Sequence, residues 1–133
     1  MNHKATIQLF IEEVFNKGNL NVLHELLHPD YRYASPTEKM ESPQELAGFV
    51  AVFGAAFPDL NIKILDQVSE ANTVVTRIRL SGSHQADYFG IPPTGKSVDV
   101  EGCVFSRFVD GLIAEEWEIL DQLTLLQQLE QTA

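Results

Sequence analysis

"SVDVEGCVFSRFVDGLIAEEWEIL", residues 97–120, decides the fold. Two runs rich in β-branched and aromatic residues flank Asp110-Gly111, a pair that tolerates the positive φ angles of a two-residue hairpin turn. A turn there predicts strands over 97–109 and 112–120, pairs Val109 with Leu112, and makes cross-strand partners sum to 221. On that register Ile113, Trp117, Ile119 and Asp121 share one face, opposite Phe108, Val104, Gly102 and Val100 respectively. Asp121 is thus a carboxylate in phase with an apolar surface.

Upstream, after Pro58, the same period of two runs through Ile62, Ile64 and Val68. It continues after a turn through Val74, Ile78 and Leu80. Before Pro58 the period is helical. Ile7, Phe10, Ile11, Val14 and Phe15 predict a one-sided helix that Gly18 closes, and Asn19 caps a shorter helix ending before Pro29. Tyr31 and Tyr33 open a short strand and loop. Ser42-Pro43-Gln44-Glu45 is a capping box with proline at the first helical position, so a third helix is expected through Leu46, Phe49, Val50, Phe53 and Phe57. A last helix is expected around Leu125, Leu126 and Leu129. Helices and antiparallel strands are therefore segregated, which predicts an α+β fold, with helices against one face of a curved sheet.

The chain has 133 residues, enough for one domain over 1–133. Its formal charge is −10, and no stretch concentrates Lys or Arg. That argues against nucleic acid and anionic membranes as partners, because both are held largely through phosphate neutralisation. One cysteine, Cys103, forms no internal disulfide. No signal-peptide pattern opens the chain, so a soluble cytoplasmic protein is expected.

"GIPPTGKS", residues 90–97, matches the phosphate-loop pattern G-x-x-x-x-G-K-[ST]. Such a loop needs a helix behind it, with free backbone N–H groups pointing at the phosphates. Here a β-rich run follows, and Pro92 and Pro93 remove two donors. The expectation is a stiff connecting loop and no nucleotide.

Asp121 has two readings that the residues leave open. It either N-caps the last helix, which lowers its pKa, or acts as a general acid/base in an apolar cavity, which raises it. His84, at the end of a strand, is either a hydrogen-bonded structural residue or a catalytic helper at a pocket rim. Glu115, Glu116 and Glu118 are expected to be mostly solvated. No Cys/His/Asp cluster has metal spacing, so no metal is expected.

"SGSHQADYFGIPPTGKSVDVEG" and "FSRFVDGLIAEEWEILDQLTLLQQL" together resemble the SnoaL-like polyketide cyclases of the NTF2-like superfamily. The matching positions are Gly82, His84, Gly90 to Gly95, Arg107, Asp110, Gly111, Ile113, Glu115 or Glu116, Trp117 and Asp121. The resemblance implies an NTF2-like cone, in which a curved sheet wraps the N-terminal helices around an apolar cavity, and a homodimer or higher homo-oligomer. It also implies aldol-type ring closure on a small apolar carbonyl compound, with no cofactor and with an aspartate acid/base whose position matches Asp121. Tyr33, Phe53, Phe89, Ile91, Val104, Phe108, Trp117 and Ile119 are then the expected substrate-binding residues, with His84 as helper. The chain departs from the family pattern at Ala34, where a histidine or asparagine is usual. It departs again at Val100, Gly102 and Val104, where a polar partner would face the aspartate. The alternative expectation is a non-catalytic protein that binds a small apolar ligand.

Overall fold

The computed structural model describes residues 2–130. Helix α1 (His3–Phe10) starts at Asn2, whose side chain accepts the Ala5 N–H, and continues through a π-helical segment, Ile11–Asn16. Gly18 closes that stretch at φ 69°, the left-handed geometry that a residue without Cβ adopts freely. Asn19 caps a 3-10 turn, Leu20–Val22, which leads into the short helix α2 (Leu23–Leu26). Strand β1 (Leu27–Ala34) begins before Pro29, so the chain leaves the second helix earlier than its proline suggests.

Strand β2 (Lys39–Met40) folds back on β1. Helix α3 (Pro43–Ala56) follows with Ser42 accepting the Glu45 N–H, as the capping box predicts. Strands β3 (Asn61–Glu70), β4 (Thr73–Ser83), β5 (Ser97–Val109) and β6 (Leu112–Leu120) come next, then helix α4 (Gln122–Glu130). The sheet order is β2-β1-β6-β5-β4-β3. The α+β architecture and the hairpin at Asp110 (φ 53°) and Gly111 (φ 77°) follow the expectation.

One pairing was not legible: β1 lies parallel to β6, with Tyr33 opposite Glu116 and Ala34 opposite Trp117. The sheet is therefore mixed rather than antiparallel throughout. Helices α1 and α3 pack their apolar stripes, among them Ile7, Phe10, Leu46, Val50 and Phe53, into its concave side, where Val74, Ile78, Leu80, Val98, Val100 and Ile113 are also buried. Asn16 closes the free edge at β3, donating from Nδ2 to the Ile62 carbonyl (3.0 Å) and accepting the Ile62 N–H (2.7 Å). No helix among the described residues is long and apolar enough to cross a membrane.

The decisive irregularity is in the β5–β6 hairpin. Val109 pairs with Leu112 and Phe108 with Ile113, as the turn dictates, but Arg107 then pairs with Glu115. Ala114 is the extra residue of a β-bulge, and every partner beyond it is shifted by one. A one-residue shift turns every later side chain to the other face. Glu116, Glu118 and Leu120 consequently point inward, while Trp117 and Ile119 point outward at 48% and 49% exposure.

The strands also meet closely here. A Cβ on Gly102 would stand 2.9 Å from the Ile119 carbonyl oxygen and 2.9 Å from the Leu120 side chain. Gly102→Ala is accordingly expected to cost about 1–3 kcal/mol through overpacking, read as a lower midpoint in chemical denaturation.

Candidate active site

The concave side of the sheet and the helices enclose a pocket of about 170 Å³. Its apolar walls include Ile7, Phe10, Phe15, Phe49, Phe53 and Val104. The widened π-helical turn brings Ile11 and Phe15 onto this wall. Two carboxylates from β6, Glu116 and Glu118, and two tyrosines from β1, Tyr31 and Tyr33, face the same space.

Parallel pairing builds these four groups into a repeated unit. The Tyr31 hydroxyl donates to Glu116 Oε1 at 2.8 Å, and the Tyr33 hydroxyl donates to Glu118 Oε1. Each tyrosine is two residues from the other, as each glutamate is, so one strand register sets both pairs. Ser106, on β5, donates to Glu116 Oε2 at 2.6 Å. Glu116 is therefore held at both oxygens and is only 5% exposed. Glu118, which lines the pocket, has Tyr33 on one oxygen; its Oε2 has no hydrogen-bond partner among the described residues.

The environment favours protons on both acids. Burial pushes Glu116 up to about 7, against the opposing effect of its hydrogen bonds from Ser106 and Tyr31, and the charge of Glu118 adds to the rise. Burial also raises Glu118, with the Tyr33 hydrogen bond opposing it. Tyr31 and Tyr33 are themselves pushed up, first by burial and then by the adjacent carboxylates, so both stay protonated donors. Both carboxyls are thus raised towards the range where a general acid/base works best.

The structure treats the expected site residues unequally. Tyr33, Phe53 and Val104 line the pocket. Phe89 sits outside it but stacks on Phe49, which lines it, with ring centroids 5.9 Å apart. Ile91 packs half-buried against the core beside it. Phe108 is buried in the core, stacked on His3 rather than on the pocket.

Four expectations need correction. Trp117 and Ile119 face away from the pocket because of the bulge at Ala114. Asp121 does not line the pocket. It caps α4 instead, accepting the Thr124 N–H at 3.1 Å and the Thr124 hydroxyl at 2.7 Å, and these bonds hold its carboxyl below the usual range. His84 is fully buried between Phe57 and Tyr88, where its Nδ1 accepts the Thr94 N–H at 3.2 Å and pins the 84–96 loop. The expectation that Glu116 and Glu118 are solvated fails for the same reason that Trp117 faces out. Asp121→Ala should cost about 1 kcal/mol, the usual loss for a helix cap, and leave any activity in place.

In "GIPPTGKS", Gly90 (φ 89°) and Gly95 (φ 72°) take the left-handed conformation, and strand β5 begins directly at Ser97. No helix N-terminus follows the loop. Lys96→Ala is expected to leave ligand binding unchanged, whereas Phe89→Ala should weaken it by unseating Phe49; isothermal titration with a bound ligand compares the two.

The comparisons agree with this architecture. A family model described as SnoaL-like polyketide cyclase matches residues 5–129. The aklanonic acid methyl ester cyclase DnrD of Streptomyces peucetius is 25% identical over 121 residues, covering 88% of this chain and 83% of that protein. Among solved structures, IdmH of Streptomyces antibioticus is 32% identical, with a TM-score of 0.81 over 95% of this chain and 96% of that one. A SnoaL-like protein of Jannaschia sp. CCS1 superposes with a TM-score of 0.90 at 24% identity, over 98% of this chain and 92% of that one.

Proposed function

This chain belongs to the SnoaL-like polyketide cyclase family, and from that premise we propose that it closes a carbon ring in a small apolar carbonyl compound with Glu118 as the acid/base. The observation that carries this reading is Glu118 itself, a carboxylate lining an apolar pocket with one oxygen fixed by Tyr33 and no hydrogen-bond partner on the other among the described residues. Asp121 is not among the pocket's lining residues, and both of its carboxylate oxygens are engaged by Thr124 as a helix cap.

The reaction is an intramolecular aldol addition. Glu118 Oε2 takes a proton from a carbon flanked by carbonyl groups, leaving the electron pair delocalised onto the carbonyl oxygen as an enolate. That carbon attacks a ketone carbon in the same molecule, one C–C bond forms, and the C=O π pair moves to oxygen. The proton held on Glu118 passes to the new alkoxide, so atoms and charge balance and the carboxylate is regenerated. Burial raises the basicity of Glu118 for the first step and makes its protonated form a competent donor for the second. Tyr33 fixes the carboxylate plane, and the ring-lined walls hold the chain of the substrate folded for closure.

Exchange of the acidic carbon-bound proton in D2O, followed by NMR on a 1,3-dicarbonyl methyl ester that carries a distal ketone, tests this. Wild-type protein should speed deuterium uptake and yield the ring-closed isomer. A ligand that binds and is recovered without deuterium would contradict the proposal.

A further inference from the structure

The loop between β4 and β5, residues 84–96, is held closed at several points. The His84 N–H donates to the Lys96 carbonyl at 2.9 Å, the Gly95 N–H donates to the His84 carbonyl at 2.8 Å, and Tyr88 and Ile91 exchange two backbone bonds of 3.0 Å. The buried Tyr88 ring is wedged among Phe53, Phe57 and His84. This scaffold fixes one polar contact with α4: the Tyr88 hydroxyl donates to Gln122 Oε1 at 3.3 Å. Gln122 is the first residue of α4 and lines the same pocket as Glu118. The Tyr88 hydroxyl has no other acceptor among the described residues, so the amide is set with its oxygen on Tyr88. Its NH2 is left without a partner among those residues. Burial raises the Tyr88 hydroxyl, against the effect of the Gln122 bond, and the charges of Glu38 and Glu118 add to the rise, so it stays a donor.

We propose that Gln122 is a catalytic residue of the ring closure, its NH2 donating to the carbonyl oxygen that becomes the enolate, and that Tyr88 is the positioning residue that orients it. The inference rests on the reading of Glu118 as the base. Among the described residues lining the pocket, Gln122 carries the one side-chain nitrogen, and both tyrosine hydroxyls there are committed to glutamates. A proton leaving the carbon next to a carbonyl puts negative charge on the carbonyl oxygen. In a pocket walled by carboxylates and apolar groups, that charge needs a donor. An N–H fixed beforehand stabilises the enolate more than the neutral ketone, which lowers the barrier rather than merely tightening binding. The stiff loop that ends in Gly95-Lys96 thereby has a part in the chemistry: it keeps Tyr88, and through it the amide, in one orientation.

Gln122→Met keeps the length of the side chain and removes the donor. It should lower kcat for ring closure by about 10²–10³-fold, the usual effect of losing one such donor. Gln122→Glu, which can still accept the Tyr88 hydroxyl but brings a carboxylate in place of the NH2, should lose as much. Tyr88→Phe should give a smaller loss in kcat with KM unchanged. The direct readout is the infrared carbonyl stretch of a 13C=O-labelled 1,3-dicarbonyl methyl ester that lacks the distal ketone, and so binds without cyclising. Bound to wild-type protein, its stretch should lie at lower frequency than when bound to Gln122→Met, with Tyr88→Phe in between. Because this readout needs no turnover, it separates the two readings: a stretch that depends on Gln122, in a protein that takes up no deuterium, would sink Glu118 as the base and keep Gln122 as the donor. Equal stretches in wild type and Gln122→Met, full kcat in either Gln122 variant, or an ester that does not bind would overturn the proposal.

Discussion

Glu118→Gln is expected to lower kcat for ring closure, and the rate of deuterium uptake at the acidic carbon, by about 10³-fold, the usual contribution of a positioned general base. Glutamine keeps the shape and can still accept the Tyr33 hydroxyl at its Oε1, so circular dichroism and thermal midpoint should stay near wild type. What it loses is the lone pair on Oε2 that takes the proton. Asp121→Asn is the matched control. Asparagine caps a helix about as well as aspartate, and Asp121 does not line the pocket, so its activity should be that of the wild type. The reverse pattern would move the chemistry back to the surface carboxylate.

Glu116 gives the second large effect, on stability rather than rate. Its ordinary value is 4.5 and burial raises it to about 7. Between those two values the folded chain binds more protons than the unfolded chain, so this group's contribution to stability is present at acid pH and lost as pH rises through about 7. Taking 1.36 kcal/mol per pKa unit, the loss is on the order of 3 kcal/mol as an upper bound. Glu116→Gln removes the titration while keeping an acceptor for Tyr31 and a donor for Ser106. The stability difference between variant and wild type, measured by urea denaturation from pH 4.5 to pH 8, should therefore move in the variant's favour as pH rises. Taking the difference cancels the opposite trend of Asp59, Asp99 and Asp121, whose values are lowered by hydrogen bonds. A difference that stays flat with pH would show that Glu116 is not held in a desolvated site.

Most of the fold was readable because its signals are local. The capping box at Ser42, the turn at Asp110-Gly111 and the switch from helical to alternating periodicity at Pro58 each depend on neighbouring residues alone. The site was not readable, and one residue accounts for it. Ala114 opens a bulge that no turn rule announces, and it reverses the facing of Glu116, Trp117, Glu118 and Ile119 together. The register drawn from the turn is right for two pairs and wrong for the rest. A signal did exist in the spacing: tyrosines two apart at 31 and 33, and glutamates two apart at 116 and 118, match in a parallel register. Recognising it required knowing that β1 lies against β6, a contact between residues 85 positions apart. Asp121 was legible in its other reading, since a carboxylate three residues before Thr124 at a helix start is an ordinary cap.

The central claim is that Glu118, and not Asp121, faces the reacting carbon. A structure of the protein with an unreactive enol or phenol analogue of the dicarbonyl unit tests it most directly. The account predicts the analogue in the pocket between Phe49, Phe53 and Val104, with its hydroxyl within hydrogen-bonding distance, about 3 Å, of Glu118 Oε2. An analogue bound at Asp121, or one in the pocket whose hydroxyl makes no contact with Glu118, would contradict it.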